Sequence, residues 1–489
     1  MLTLVMLTST ILCDPSGVCE LPEAVAAREH TYAASAEVNT KRRAVPKVDH
    51  RSEDLILGPS SRSKLVASAR DINRNFAIAA WAVRRHLDYV STFQFHARSK
   101  DSGLNTDIEE LLTEWQKRKN CDAARRHRFP KLIRLAECRR TLDGDVGVLK
   151  LRDGRLQGIE GDRIRDPRGD QVAALGEWTH GVRTDAGGAA LQYAIHKRTA
   201  NAGFALDRIV TEANLELLGY FDRFDAVRGV SPIAAGLNSL QDVYENFDLA
   251  LAKAKVTQLF ALAFYRDAAE SVGSIDDEET TATDDDGNET TTTRYKVDFG
   301  RGPAMLDLDP GDRAEFLESH HPSSEFQAFT TSVVMVALKA IDIPFSFFDE
   351  SHTNFFGSRG AWMHYERSCR DKRDDLIELL DEITRWRLQL AILNGDLILP
   401  RTTSIDDLWW EWVPAGMPWW DQAKEVRGDL MAIGAGMDTP QRVTKEHGRG
   451  DWYDNVDEIA KAIEYAKGKG FTLSFDPGDA PVEVVNGQA

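Results

Sequence analysis

The chain of 489 residues has little cysteine, no long apolar run and none of the common catalytic signatures. The five cysteines (Cys13, Cys19, Cys121, Cys138 and Cys369) form no C-x-x-C pair and no Cys/His cluster at zinc spacing. That pattern points to free thiols in a reducing compartment, with a Cys121–Cys138 pair left open. No stretch approaches the roughly 18 apolar residues that a membrane-spanning helix needs. The opening MLTLVMLTSTILC is apolar, but it lacks a basic flank and a small-residue cleavage site, so it is taken as a frayed or removed arm and not as a signal peptide. Bases are also short: 60 Lys and Arg face 78 Asp and Glu, a net charge of −18. A protein that grips nucleic acid over its whole surface needs a net basic face, so that class is excluded. A protein that DNA slides past is not.

No G-x-x-x-x-G-K-S/T loop, H-E-x-x-H helix or G-x-S-x-G elbow occurs, which leaves a P-loop motor, a zincin and a serine hydrolase unsupported. The adjacent pair His320-His321 is poorly placed to hold one metal. Carboxylates are plentiful but follow no spaced motif. No cofactor and no metal site are expected, and a structural or interaction protein is favoured over an enzyme.

Hydrophobic residues make up 42% and charged residues 28% of the chain, enough for a sizeable core. At roughly 150 residues per domain the length suggests about three domains. Leu65, Ala69, Ile72, Phe76, Ala79, Val83, Leu87 and Val90 recur at spacings of three and four, which predicts one amphipathic helix. Residues 107–140 read as basic and helical. Their Arg125, Arg126, His127 and Arg128 fit a phosphate contact, a solvated face or a subunit contact. Between 145 and 200 the pattern turns to antiparallel strands, with Asp153-Gly154 and a Gly-Gly pair as hairpin turns. From Ser231 helix returns. Pro232 suits a first turn, and Leu240, Tyr244, Phe247 and Leu251 make a stripe running toward Phe264. Two Thr-rich stretches around Asp286-Gly287-Asn288 predict an exposed hairpin. Its acids do not fit a calcium loop, since the first and twelfth positions would be Ala282 and Thr293. A helix over 325–341 ends before Pro344. A Phe-rich loop follows, then a long helix from Gly360 to about Leu393, then Trp409, Trp410, Trp412, Trp419 and Trp420 in a loop and two further helices.

Four stretches, in this order, resemble the portal proteins of lambda-type tailed phages: ASARDINRNFAIAAWAVRRHLDYV; FDRFDAVRGVSPIAAGLNSLQDVYENFDLALAKAK; LDLDPGDRAEFLESHHPSSEFQAFTTSVVMVALKAIDIPFSFFDESHTNFFGSRGAW; and WWDQAKEVRGDLMAIGAGMDTP with EHGRGDWYDNVDEIA. Together they cover roughly residues 50–465. Two runs depart from the family. Its Asp-Pro-x-Lys-Glu reads Asp421-Gln422-Ala423-Lys424-Glu425, and its Asn-Tyr-Ser-Ser-x-Arg type run reads Asn354-Phe355-Phe356-Gly357-Ser358-Arg359.

The resemblance implies an α+β portal fold, mainly helical, with a β-rich wing and a small clip carrying a β-hairpin. It implies an arm at 1–60, a wing at 61–234, a first stem helix at 235–267, a clip at 268–324, a second stem helix at 325–343, a channel loop at 344–358, a wing-to-crown helix at 359–395 and a crown and tail at 396–489. The implied assembly is a homo-oligomeric ring, twelve subunits in the virion, at the capsid portal vertex. It would be put together in the bacterial cytoplasm, with no membrane partner. Double-stranded DNA passes through the ring during packaging and ejection. The large terminase subunit, the head-tail adaptor, and the major capsid and scaffolding proteins are its partners. Residues implied at the channel loop are Phe348, Asp349, Glu350, Ser351, His352, Thr353, Asn354, Phe355, Phe356, Ser358 and Arg359. The terminase-docking clip would present Asp276, Asp277, Glu278, Glu279, Asp284, Asp285, Asp286 and Glu289. Lys253 and Lys255 would touch DNA from the stem or pair between subunits. The cluster Phe345, Phe347, Phe348, Phe355 and Phe356 has two readings, packing the loop against neighbouring subunits or setting an aromatic edge on the DNA. Two other classes stay open: a metal-dependent, nuclease-like DNA enzyme, and a cellular acidic scaffold or adaptor.

Overall fold

Pro59, whose missing N–H costs nothing in a first turn, opens the first long helix. The computed structural model describes residues 50–167, 177–201, 203–259, 262–266, 278–283, 289–294, 312–316, 324–349, 355–401, 403–416, 421–471 and 473. They divide into a main unit, from residues up to 241 and from 333 onward, and a second unit of residues 242–332. The expected resemblance to a mixed helix-and-sheet fold holds, with small sheets set among long helices.

In the main unit, a short turn α1 (Glu53–Ile56) precedes α2 (Pro59–Asn75) and α3 (Ala77–Val90). The single helix expected over 65–90 is therefore split. Phe76 is extended, at φ −112° and ψ 113°; its N–H closes α2 on Ile72 and its carbonyl opens α3 to Ala80. A four-residue step keeps the apolar stripe in register on both sides, so periodicity could not reveal the break. The basic stretch 107–140 is likewise divided. It follows β1 (Phe93–Ala97) and forms α4 (Ser102–Trp115), a turn α5 (Arg118–Cys121) and α6 (Phe129–Asp143), the last restarted by Pro130. Cys121, Cys138 and Cys369 are all free thiols.

Gly144, at φ +95°, ends α6 and turns the chain into β2 (Asp145–Lys150). All six residues of β2 are buried, because it lies between β3 (Leu156–Glu160) and β7 (Leu215–Gly219) in an antiparallel sheet. Asp153-Gly154 makes the expected turn, with Gly154 at φ +81°. A second antiparallel sheet orders β4 (Val182–Thr184), β5 (Ala190–Arg198) and β6 (Phe204–Thr211), with Gly188 in the β4–β5 turn. Leu149, Ile159, Ile164, Val182, Tyr193, Ile195 and Leu215 form the core that joins the two sheets.

After the 3-10 turn Pro232–Ala235, α7 spans Leu237–Leu259 and carries the chain out of the main unit. It stops short of the expected 267, and Leu262–Arg266 is strand β8. LAFYR is a short, mostly apolar run that suits either state, and pairing with β11 (Asp312–Phe316) decides it. The Thr-rich stretches are β9 (Glu278–Thr283) and β10 (Glu289–Arg294), paired antiparallel. The chain returns through α8 (Ser324–Leu338) and a 3-10 turn over Lys339–Ile341. Within the second unit Phe247 of α7 meets Phe326 of α8 edge to face, with ring centroids 6.2 Å apart. Within the main unit Gly236 lies so close to Ala337 and Ala340 that an added Cβ would sit 3.0 Å from each.

Helix α9 covers Phe355–Asn394, about 60 Å at 1.5 Å per residue. It starts before the expected Gly360, so Phe355–Ser358 are helical rather than loop. An isolated glycine such as Gly357 does not mark a helix start. Tyr365, Cys369, Leu376, Leu380, Ile383, Leu388 and Ala391 form its buried face. The Trp-rich segment is not all loop, since β12 (Trp410–Pro414) pairs with β1. Trp412 is buried against Phe95 and Phe129, and its indole N–H donates to Thr384 Oγ1. Three helices follow, not two: α10 (Gln422–Gly434), α11 (Pro440–Glu446) and α12 (Trp452–Gly468).

Candidate functional site

The Phe-rich segment is held by the chain's own helices. Phe345–Phe347 forms a 3-10 turn, and Phe347 packs on Tyr89 of α3 and Tyr365 of α9, with centroids at 5.7 and 5.4 Å. Phe348 meets Trp81 and Phe345 at 5.9 and 5.6 Å. These three rings pack against helices of the same chain, and Phe348 keeps 39% of its surface exposed. Asp349 is the last described residue there; Glu350, Ser351, His352, Thr353 and Asn354 lie outside the described residues. Phe355, Phe356, Ser358 and Arg359 fall in the first turns of α9. Ser358 is buried, and Arg359 reaches Glu425 of α10 at 2.9 Å.

Of the acids expected at the clip, Glu278 and Glu279 sit on β9, opposite Arg294 and Thr293, and Glu289 sits on β10 opposite Thr283. Asp276, Asp277, Asp284, Asp285 and Asp286 lie outside the described residues, as do His320 and His321. Lys253 and Lys255 are exposed on α7. Around Arg125-Arg126-His127-Arg128 the ordering group is Asp122. Its carboxylate accepts N–H bonds from Ala124, Arg126 and His127 at 3.0, 2.7 and 2.9 Å, while Arg125, Arg126 and Arg128 stay exposed.

The most heavily built polar structure is one that sequence reading missed. It surrounds Asp143-Gly144-Asp145, where α6 becomes β2. Arg228 is fully buried and grips Asp145 side-on, with Nε and Nη2 each at 2.7 Å. Its remaining donors reach the carbonyls of Ile164, His180 and Gly161 at 2.9, 2.5 and 2.7 Å. Arg62 of α2 donates to Asp145 at 2.8 Å and to the Gly229 carbonyl at 2.6 Å. On the other side of Gly144, Arg70 of α2 forks onto Asp143 at 2.8 and 2.5 Å. Arg70 also reaches Asp162, which is shared with Arg198.

Backbone closes the same junction. Tyr220 N–H donates to the Gly144 carbonyl, Val230 N–H to Tyr220, and Ser231 Oγ to Thr141. Gly144 and Gly229 touch so closely that a Cβ on either would fall 2.5 or 2.3 Å from the other's carbonyl oxygen. Burial opposes ionisation of Asp145, but Arg228 and Arg62 outweigh it and hold the carboxyl below its ordinary range. Burial brings Arg62 down to about 10, still charged at neutral pH. The network thus fixes where α7 leaves the main unit.

A second buried network ties α3, α6 and α9. Glu137 accepts from His86 Nε2 at 2.7 Å, Arg140 Nε at 2.7 Å and the Tyr220 hydroxyl at 2.9 Å. Arg140 continues to Asp375 and the Lys372 carbonyl of α9. Burial disfavours the Glu137 anion, yet Arg140 and His86 reverse this and bring it down to about 2. Burial pushes His86 below its usual value. Asp145 and Glu137 each accept at least three hydrogen bonds, from guanidinium, N–H and hydroxyl donors. Among the described residues no cluster of three or more His, Cys, Asp or Glu is arranged for a metal ion, and no helix is long and apolar enough to cross a membrane. What the arrangement does is mechanical: it pins the α6–β2 junction to α2 and ties α6 to the long helix α9.

A sequence model of the family described as "Phage portal protein, lambda family" matches residues 41–373. Among solved structures, the chain is similar to one from the neck of an empty GTA particle computed with C6 symmetry, with TM-score 0.44 and 13% identity over 77% of this chain and 92% of that one. It is also similar to a chain of the virion of a native gene transfer agent particle (0.40, 14%, 78% and 92%) and to one of the neck of a native GTA particle computed with C12 symmetry (0.42, 14%, 78% and 93%). No curated protein matches the chain.

Proposed function

Because the chain belongs to the lambda family of phage portal proteins, we propose that it forms a closed ring, twelve copies in the virion, at one capsid vertex. In this reading the ring conducts double-stranded DNA during packaging and ejection and has no catalysis of its own. The observation that carries it is the family match over residues 41–373. The path of the chain supports it. It enters the second unit through α7 and leaves through α8, whose Phe247 and Phe326 are in contact, and the strands β8–β11 lie between them in sequence.

On this reading α7 and α8 are the stem, residues 268–323 the clip, residues 344–354 and the start of α9 the channel loop, and α10–α12 the crown. The stem stripe has the character of a face meant for neighbours: Tyr244, Phe247, Leu249 and Leu251 are 37–67% exposed in the single chain. Lys253 and Lys255 offer brief phosphate contacts. The acidic segment from Asp276 to Glu289 would dock the large terminase and later the head-tail adaptor, its charge steering a basic partner. Capsid and scaffolding proteins would surround the wing.

The acid-rich balance suits a conduit. A basic bore would release counterions at every phosphate and stall the duplex, whereas a neutral or acidic one repels it toward the axis. Light scattering on the purified chain tests the assembly, with a mass many times 54.6 kDa expected. Binding of linear duplex tests the bore. Affinity is expected to fall less than about tenfold between 50 and 200 mM salt, against the roughly 10³–10⁵-fold of a protein holding six to ten phosphates. A steep slope would contradict the reading.

A further inference from the structure

Among the described residues, helices α10 and α12 find little core within one chain, with Val426, Ile433 and Ile463 only partly covered. None of the residues of α10 is buried, and Leu430 and Met431 are 64% and 69% exposed. Helix α12 buries only Ala466 and leaves Tyr453, Val456 and Ile459 at 62%, 40% and 47%. Short helices draw most of their stability from packing an apolar face, so both faces call for a cover. At 100° per residue, Val426, Leu430 and Ile433 align on one side of α10 with Arg427 beside them. Val456, Ile459 and Ile463 align on one side of α12, with Tyr453 and then Asp457 beside them.

The other charges of α10 are engaged: Lys424 with Asp421, Glu425 with Arg359 and Asp429 with His447. Arg427 and Asp457 are both exposed, and among the described residues neither has an ion-pair partner. Two apolar stripes edged by opposite, unpaired charges complement each other.

We propose that α10 of one copy packs its Val426–Leu430–Ile433 stripe on α12 of the next copy, with Arg427 against the partner subunit's Asp457. The two surfaces differ, so the contact is head-to-tail, the type that generates a ring when its rotation closes. The inference rests on the ring assembly proposed above and names a surface that closes it.

Cross-linking tests it. The double variant Arg427→Cys/Asp457→Cys, mildly oxidised, is expected to give a ladder of covalent multimers on a non-reducing gel, while each single variant keeps the pattern of the parent chain with its own five cysteines. Large assemblies by light scattering without a ladder would overturn this contact and leave the ring intact; a monomeric mass at all concentrations would overturn both. A charge reversal gives a second reading. Arg427→Asp sets like charges together and should raise the concentration needed for assembly about tenfold or more. Adding Asp457→Arg should bring it back, and a double variant no better than the single one would refute the pairing.

Discussion

Replacing Arg228 by Met removes the guanidinium at the centre of the α6–β2 junction while keeping most of its volume. Asp145, with no exposed side-chain surface, would keep only Arg62 at 2.8 Å and the Gly229 N–H at 3.0 Å. The carbonyls of Ile164, His180 and Gly161 would lose their shared donor. Stranding one partner of a buried ion pair costs about 3–5 kcal/mol. At about 2 °C per kcal/mol for a large unit, melting should drop by roughly 6–10 °C. Thermal unfolding followed by circular dichroism, with protein concentration held fixed because assembly shifts the midpoint, reads this directly. Arg228→Lys keeps the charge but not the side-on fork, and should fall between parent and Met. A Met variant within about 1 kcal/mol of the parent, or a Lys variant as stable as the parent, would refute the role assigned to Arg228.

Acidification should destabilise the fold in two steps. Burial holds His86 in the fold below the 6.5 of the unfolded group, and Glu137, brought down to about 2 from an ordinary 4.5, loses its contribution between those values. In both cases the unfolded state binds more protons, so stability falls with pH. The Glu137 share is about 3 kcal/mol, and Glu137→Gln should flatten the limb below about pH 4.5 in denaturation curves; an unchanged limb would count against it. Gly144→Ala should cost about 2–4 kcal/mol, since φ is +95° and its Cβ would fall 2.5 Å from the Gly229 oxygen; near-parent stability in urea would show that the junction yields. Arg359→Ala, losing a half-exposed pair with Glu425, should change stability by less than about 1 kcal/mol; a larger loss in the same assay would give that pair a structural weight its exposure does not suggest.

Much of the layout was legible because its signals are local. Asp153-Gly154, the Gly-Gly turn, Pro232 and Pro344 all punctuate the chain where residue chemistry says they should. The long helix α9 was legible over most of its length, its start alone lying earlier than Gly360. What stayed hidden is long-range. The kink at Phe76 leaves the helical period intact, and LAFYR became strand only through pairing with Asp312–Phe316. The Trp410–Pro414 strand depends on a partner some three hundred residues away. Arg70 and the Arg228-Gly229-Val230-Ser231-Pro232 run stood out as family-like, yet their work could not be read from them. Their carboxylate partners, Asp143 and Asp145, lie 73 and 83 residues distant. One signal was present at Asp145, a charge at the head of the apolar strand run VGVL, which is costly when buried unless paired. The partners of Phe347, Tyr89 and Tyr365, were hidden for a related reason, since they belong to other helices of the chain.

The central claim is that many copies of this chain enclose an open passage that duplex DNA traverses without adhering. Single-particle electron microscopy of the purified full-length protein tests it most directly. The expected averages are closed annuli with an unfilled centre wide enough for a duplex of about 20 Å, with α7 and α8 from every copy around it. Isolated monomers, open filaments or particles with a filled centre would contradict it.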